Sequence, residues 1–378
     1  MKYSPQQSKA LDLAGAWLNQ CTAEKKSRKR LSKPFFYLAG YAGTGKSTLA
    51  SKLAELQDEP VQYGAFTGKA AKVMRDNGCI GAATIHSLIY ITKRDSITGN
   101  LKFSWNSIGS CREAGLIIID ECSMVNDDLA KDLLKYNNPI LVLGDPGQLP
   151  PVKGAGYFTS GNPDAMLDEI HRQAADSGII RLATSIRENN FKPSPSIERD
   201  VQLIKSGTDV SEYVEKSGAL IVGKNQTRNS YNDRMRQRLG YGKTPYPEKG
   251  ETLICLKNDK DLGIFNGEIW EVLEYQGKSK NKSNMYHEYR LISPEDKNLS
   301  IDVTVHDCFF SRKEKPFWKE LTGTQEFDFG YVLTCHKSQG SQWDNVVVFD
   351  ESSIFRDQSQ RWLYTAVTRA AKNITLVF

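Results

Sequence analysis

The chain has 378 residues, of which 39% are hydrophobic and 25% charged, with a formal net charge of +5. This balance supplies enough apolar side chain for packed cores and excludes a wholly disordered or fibrous chain. The length corresponds to two or three domains of roughly 100–200 residues each. No apolar run approaches the about 20 residues of a membrane span, and Met1-Lys2-Tyr3-Ser4-Pro5 does not begin a secretory signal. The seven cysteines form no C-x-x-C pair. That spacing argues against a zinc site or a disulfide framework and for reduced thiols in a cytosol-like compartment. A mildly basic charge permits a nucleic-acid partner without arguing for one.

In chain order, Glu24 to Lys33 comes first, with six Lys or Arg, and reads as a solvated loop ahead of a buried strand. Phe35 to Ala39, Leu116 to Ile119 and Ile140 to Leu143 are short apolar runs ending at Gly or Asp. Such runs are how parallel strands covered on both faces read. Helix-like stretches, Ser47 to Leu56 and Lys69 to Asn77, lie between them, so the first part predicts a doubly wound α/β unit. An insert at 88–113 reads as a hairpin around Asp95 to Asn100. Ala219 to Val222 and Val346 to Phe349 predict further buried strands, with a helix over Arg361 to Lys372 and a last strand from Ile374. A second α/β unit therefore assembles from about 160–240 and 328–378. The stretch 241–327 breaks the pattern. Its short strand candidates and Asn266-Gly267 turn predict a small all-β insert, and the polar run Gly277 to Asn284 reads as a mobile linker.

Gly40-Tyr41-Ala42-Gly43-Thr44-Gly45-Lys46-Ser47 matches G-x-x-x-x-G-K-[ST] between a predicted strand and a predicted helix, the context of a P-loop. Backbone N–H groups would cradle an anion at a helix N-terminus. Lys46 would reach the β- and γ-phosphates, and Ser47 would place a hydroxyl on Mg²⁺. The apolar run ending in Asp120-Glu121 delivers two carboxylates to the same sheet edge, Asp120 for Mg²⁺ and Glu121 to take a proton from an attacking water. The pair of motifs predicts NTP hydrolysis.

Gln148, in Gly144-Asp145-Pro146-Gly147-Gln148-Leu149-Pro150, either senses a γ-phosphate or sits exposed on a proline-stiffened turn. Arg172 and Arg369 either reach across a domain cleft to neutralise transition-state charge or make surface ion pairs of under about 1 kcal/mol. His86 and His336 lie among hydroxyls and small residues, a composition suited to sugar-phosphate contacts. A hydrogen-bonded core histidine is the alternative for each.

The order of these motifs resembles superfamily 1 helicases, most closely the RecD-like and Dda-like branch that moves 5′ to 3′. Ser4 to Ala10 is similar to the glutamine motif, with Gln7 at the adenine-reading position. Gly40 to Ser47 is similar to motif I, Thr67 to Ala71 to motif Ia, Asp120-Glu121 to motif II and Gly144 to Gln148 to motif III. Arg172 matches motif IV, Thr334 to Gly340 with Val346 to Asp350 motif V, and Val367 to Ala370 motif VI.

The resemblance implies two RecA-like P-loop NTPase domains, 1-157 and 158-240 with 328-378. The hairpin at 88–113 is the strand-separating insert, and 241–327 is an SH3-like β-barrel. It implies ATP and Mg²⁺ as cofactors. Lys46, Glu121, Gln148, Arg172 and Arg369 are the expected catalytic set. Gln7, Gly43, Thr44, Gly45, Lys46, Ser47, Thr48 and Asp120 bind the nucleotide, with Ser47 and Asp120 on the metal. Thr67, Lys69, Thr84, His86, Phe103, Trp105, Thr334, His336 and Lys337 contact nucleic acid.

Single-stranded DNA and duplex junctions are the expected partners, with a single-strand-binding protein as a candidate further partner. A cytoplasmic monomer from a bacterium or a phage-infected host is expected. The chain begins directly at the glutamine motif, a compact layout more like phage-encoded members than a subunit of a large recombination nuclease. An RNA helicase and a nucleic-acid-binding switch without movement are the rival functions.

Overall fold

The computed structural model describes all residues except 1–2, 95–100, 151–155, 170–175, 260–261, 282–283, 295–296 and 315. The first unit contains strands β1 (Phe35–Gly40), β2 (Val61–Ala65), β3 (Ala83–Thr84), β4 (Tyr90–Arg94), β5 (Leu101–Trp105), β6 (Leu116–Ile119), β7 (Ile140–Gly144) and β8 (Ala165–Leu167). Six of them form a sheet in the order β3-β2-β6-β7-β1-β8, and every pairing in it is parallel.

Alternation along the strands explains the double winding, because successive side chains point to opposite faces. Phe36, Leu38, Leu116, Ile118, Leu141 and Leu143 pack with Trp17, Leu49 and Leu53 of the helices Pro5–Lys26 and Lys46–Glu55. Tyr37, Ala39, Ile117, Ile119, Ile140 and Val142 pack on the other face with Leu129 and Leu133 of the helix Asp127–Leu134. Each strand is apolar throughout because both faces are covered.

Two sequence expectations change here. The helix Pro5–Lys26 runs into the basic segment expected to be a loop, and its last turn holds Lys25 and Lys26, where cations suit the helix dipole. Ala165–Leu167 belongs to the first sheet beside β1, not to the second unit, so a boundary at 157 is too early.

The second sheet has the order β17-β11-β18-β19-β10-β9, from β9 (Ser196–Ile197), β10 (Val201–Ile204), β11 (Ala219–Val222), β17 (Val332–Thr334), β18 (Trp343–Phe349) and β19 (Ala370–Val377). Only the edge pairing β10–β9 is antiparallel. Residues 219–222 and 332–377 thus meet in one sheet although a long segment separates them. The helix before β19 is Ser359–Val367, shorter than the sequence pattern predicts, because β19 already begins at Ala370.

The separating segment forms an antiparallel sheet ordered β15-β14-β13-β12-β16. Its strands are β12 (Thr252–Cys255), β13 (Ile269–Asn281), β14 (Asn284–Ile292), β15 (Ser300–His306) and β16 (Phe327–Phe329). A bridge between Val305 and Gln325, with Gln325 N donating to Thr304 O at 2.8 Å, brings the two sheet edges together. The polar run expected to be a linker is instead strand: Gly277 to Asn281 pairs with Asn284 to Glu288. Lys278 and Ser279 in it are exposed, and it carries no apolar alternation.

A buried ion pair fastens this insert to the second unit. Arg236, on the helix Asn225–Arg238, donates to both carboxylate oxygens of Glu251 at 2.7 and 2.9 Å and to Tyr246 O at 2.7 Å. Its guanidinium also lies 4.1 Å from the Phe329 ring centroid. Removing one partner leaves the other buried and uncompensated, which typically costs about 3–5 kcal/mol. Arg236→Ala is therefore expected to destabilise the protein by about 3–5 kcal/mol in urea unfolding. A loss under about 1 kcal/mol, the scale of an exposed pair, would show that the pair is not the fastening.

Candidate nucleotide and nucleic-acid site

The glycine-rich loop leaves β1 at the sheet's carboxyl edge, where ligands bind in open α/β sheets. Gly43 and Gly45 have φ of +76° and +85°, the left-handed region that glycine adopts without strain. A Cβ at Gly40 would meet Thr44 Oγ1 at 2.7 Å and Leu167 Cβ at 2.9 Å, so the loop is drawn tight against β8. Lys46 Nζ donates to Gly40 O and Tyr41 O at 2.7 and 2.9 Å, which holds its charge inside the loop. Ser47 is exposed in the first helical turn and Thr48 is half-buried behind it. Thr44 is buried, and its carbonyl accepts from Gln7 Nε2 at 3.1 Å. Gln7 is otherwise engaged in a capping box with Ser4, so it contacts the loop through its amide.

β6 delivers Asp120 and Glu121 to the same edge. Glu121 has φ +51° and ψ +46°, an uncommon conformation for a residue with a side chain. Its N–H donates to Asp120 Oδ1 at 2.8 Å. Burial pushes both carboxyl groups above their ordinary range; Lys46 partly offsets this for Asp120, and Arg369 for Glu121. A cavity of about 300 Å³ opens here, lined by Ser47, Asp120, Glu121, Gly340, Thr368 and Arg369 over an apolar floor that includes Met74 and Ile118.

Gly340, Ser341, Gln342, Thr368 and Arg369 of that lining come from the second unit. Arg369 is 5% exposed, is held by Thr365 O at 3.1 Å and Ser341 O at 3.2 Å, and approaches Glu121 Oε1 at 3.5 Å. The turn after β7 is tied to the same unit. Tyr364 Oη donates to Asp145 Oδ2 at 2.8 Å and accepts from Ala42 N at 3.1 Å. Leu149 N donates to Thr365 Oγ1 at 2.9 Å, and Gln339 Nε2 to Leu149 O at 3.1 Å. Gln148 lies half-buried on this turn. Arg187 stacks on Tyr41 with its guanidinium 3.7 Å from the ring centroid. Arg172, the expected motif IV arginine, lies outside the described residues.

The expected nucleic-acid contacts sit on loops around this edge. Thr67 and Thr84 cap short helices, accepting from Ala70 N and Ser87 N at 3.2 Å each. Lys69 reaches across to Trp343, 4.5 Å from the ring centroid. His86 packs between Phe66 and Tyr90 and His336 beside Phe355; both are half-buried, with pKa values lowered by burial. Thr334 is buried and Lys337 exposed.

Trp105 is half-buried and packs on Tyr136 with centroids 5.0 Å apart, and its Nε1 has no hydrogen-bond partner among the described residues. Tyr136 also donates to Asn106 O at 2.6 Å, which seats the β4–β5 pair on the first unit. The Phe103 side chain lies outside the described residues.

Comparison with known proteins agrees with this arrangement. The profile of the family described as "AAA domain" matches residues 25–209, and that of "UvrD-like helicase C-terminal domain" matches 329–377. A protein of Acanthamoeba polyphaga mimivirus, "Uncharacterized protein R530", is 34% identical over 90% of this chain and 94% of its own length. The "ATP-dependent RecD2 DNA helicase" of Deinococcus radiodurans is 28% identical over 94% of this chain. This chain spans 50% of that relative's length. Among solved structures, Bacteroides Pif1 bound to single-stranded DNA covers all of this chain, which covers 92% of it, at 16% identity and a TM-score of 0.57.

The chain belongs to the RecD-like superfamily 1 helicases, with an AAA domain followed by a UvrD-like helicase C-terminal domain. Ser47, Asp120, Glu121 and Arg369 line one cavity, while Trp105 packs on Tyr136 and Arg172 and the Phe103 side chain lie outside the described residues. Asp145, Gln339, Tyr364 and Thr365 lay inside quoted motifs without a role of their own. Their pairing across the cleft spans more than 180 residues of sequence, so no local spacing reveals it.

The buried carboxylates generate a stability prediction. Because burial raises the folded-state pKa of Asp120, its charge destabilises the fold above that pKa, and the cost vanishes where the group is protonated in both states. Asp120→Asn is expected to raise the Tm of the nucleotide-free protein at about pH 8, with the gain shrinking as the pH falls and gone near about pH 3. A Tm at about pH 8 equal to or below that of the parent would contradict the assignment.

Proposed function

We propose that this chain is an ATP-driven DNA helicase that moves 5′ to 3′ on a single strand and separates duplex ahead of it. The observation that carries this reading is the 3.5 Å approach of Arg369, from the second unit, to Glu121, from the first, inside the cavity beside the P-loop. A phosphate-binding loop, a general base and an arginine from the opposite side of a cleft together make an NTP hydrolase whose turnover depends on cleft geometry.

ATP would lie with its phosphates on the P-loop amides and Lys46. Glu121 takes a proton from the attacking water; its raised pKa brings the carboxylate nearer neutrality, where a general base works best. Arg369 leaves the carboxylate for the terminal phosphate as charge develops there. Gln148 and Arg172 complete the set around that phosphate. The exposed Ser47 hydroxyl and the Asp120 carboxylate fit Mg²⁺, which would neutralise charge on the β- and γ-phosphates using few protein oxygens.

Single-stranded DNA would cross both sheets over Thr67, Lys69, Thr84, His86, Thr334, His336 and Lys337. Structures of similar fold support this polymer: Pif1 bound to single-stranded DNA and Pif1 in DNA unwinding at forked duplex. Direction and the monomeric state rest on the motif resemblance. We assign the segment at 88–113 as the strand-separating pin and the five-stranded insert as the SH3-like barrel of this branch.

Lys46→Ala is expected to abolish ATP turnover, and Glu121→Gln to keep ATP binding while losing about 10²-fold or more in kcat. Wild-type-like ATPase in either variant would remove the hydrolytic assignment. On tailed duplexes, the protein is expected to displace a strand from a 5′ tail. Displacement only from a 3′ tail would reverse the polarity, and none from either would leave a switch without unwinding.

A further inference from the structure

We infer that Tyr364 is a positioning residue that couples nucleic-acid binding to ATP turnover, acting through Asp145; this rests on the ATPase reading above. The geometry is specific. The hydroxyl is buried between two partners on separate segments of the first unit, the P-loop amide of Ala42 at 3.1 Å and Asp145 Oδ2 at 2.8 Å. Asp145 Oδ1 accepts in turn from Gly147 N at 2.9 Å, which sets the turn that carries Gln148. The ring also packs closely on Gly147, where a Cβ would lie 3.0 Å from Tyr364 Cε1, so a side chain at that position would press on the tyrosine.

Tyr364 sits on the helix Ser359–Val367, and Arg369 follows that helix by two residues. The segment Thr334 to Gly340, expected to contact DNA, reaches the same turn through Gln339 and Leu149 O. One turn of the first unit is therefore fastened to both the arginine-bearing helix and the DNA-facing loop of the second. A shift of that loop on binding a strand moves the turn, and the Tyr364–Asp145 hydrogen bond carries the shift to the helix behind Arg369. Burial pushes the Tyr364 pKa upward, and Asp145 adds to this, so the hydroxyl stays protonated and remains a donor at physiological pH.

The test compares ATPase of the full chain with and without a single-stranded oligonucleotide. Its variants are Tyr364→Phe, Asp145→Ala and the pair combined. Phenylalanine keeps the ring packing and removes only the hydroxyl. The DNA-stimulated kcat is expected to fall about tenfold in Tyr364→Phe, more than the DNA-free rate, with the KM for ATP within about twofold. The double variant is expected to lose no more stimulation than Asp145→Ala alone, because both changes remove one contact.

Stimulation unchanged in Tyr364→Phe would overturn the inference. So would an equal loss in the stimulated and DNA-free rates, the mark of a packing role, or multiplicative losses in the double variant. If Tyr364→Phe fails to fold, Asp145→Ala reads the same contact from its other side: retained stimulation overturns the inference and lost stimulation supports it. A wild-type chain whose ATPase ignores DNA is a different result, refuting the functional reading itself.

Discussion

A half-buried carboxylate and a buried guanidinium from the two units meet at 3.5 Å, and the proposed active geometry depends on that meeting. Neither charge is comfortable alone. Burial pushes the Glu121 carboxyl up, and Arg369 is the largest influence pulling it back. Arg369 in turn donates to Thr365 O, Ser341 O and Thr368 Oγ1 of its own unit, so it is aimed before any ligand arrives. Preorganised charge of this kind needs no reorganisation at the moment of reaction. It also makes the charged group of each unit dependent on the other unit's position, which the proposed coupling of cleft closure to turnover requires.

Sheet topology makes the meeting possible. Parallel strands put all their carboxyl ends on one edge, so β1, β6 and β7 deliver the P-loop, Asp120-Glu121 and the Asp145 turn side by side. β17 does the same for the second unit, ending at Thr334 just before the segment that runs to Gly340. Gly340 lies where these edges touch: a Cβ there would be 3.1 Å from Glu121 Oε2 and 2.9 Å from Thr67 Oγ1. A base on the hydrolytic side and a threonine expected on the DNA side thus share one small residue of the opposite unit.

What the sequence disclosed follows from how local each signal is. The P-loop and the apolar run before Asp120 are contiguous, and their chemistry is written in consecutive residues. The faces of β1, β6 and β7 were readable as buried because the runs are apolar without alternation. β8 was missed because three residues after Asn162-Pro163-Asp164 carry too little pattern to separate strand from loop. The extension of β13 and β14 was missed because strands that project beyond a core lose the alternation by which strands are recognised. For Trp105, the resemblance suggests nucleic acid, and its packing on Tyr136, 31 residues away, has no local signal. The Tyr364–Asp145 contact has no local signal at all.

The most direct test is a crystal structure with a non-hydrolysable ATP analogue, Mg²⁺ and a short single strand bound together. The account predicts that the Arg369 guanidinium leaves Glu121 and contacts the terminal phosphate, while Glu121 faces the water in line with it. A structure in which Arg369 stays paired with Glu121, or turns out of the cleft with the phosphates seated on the P-loop, would contradict it.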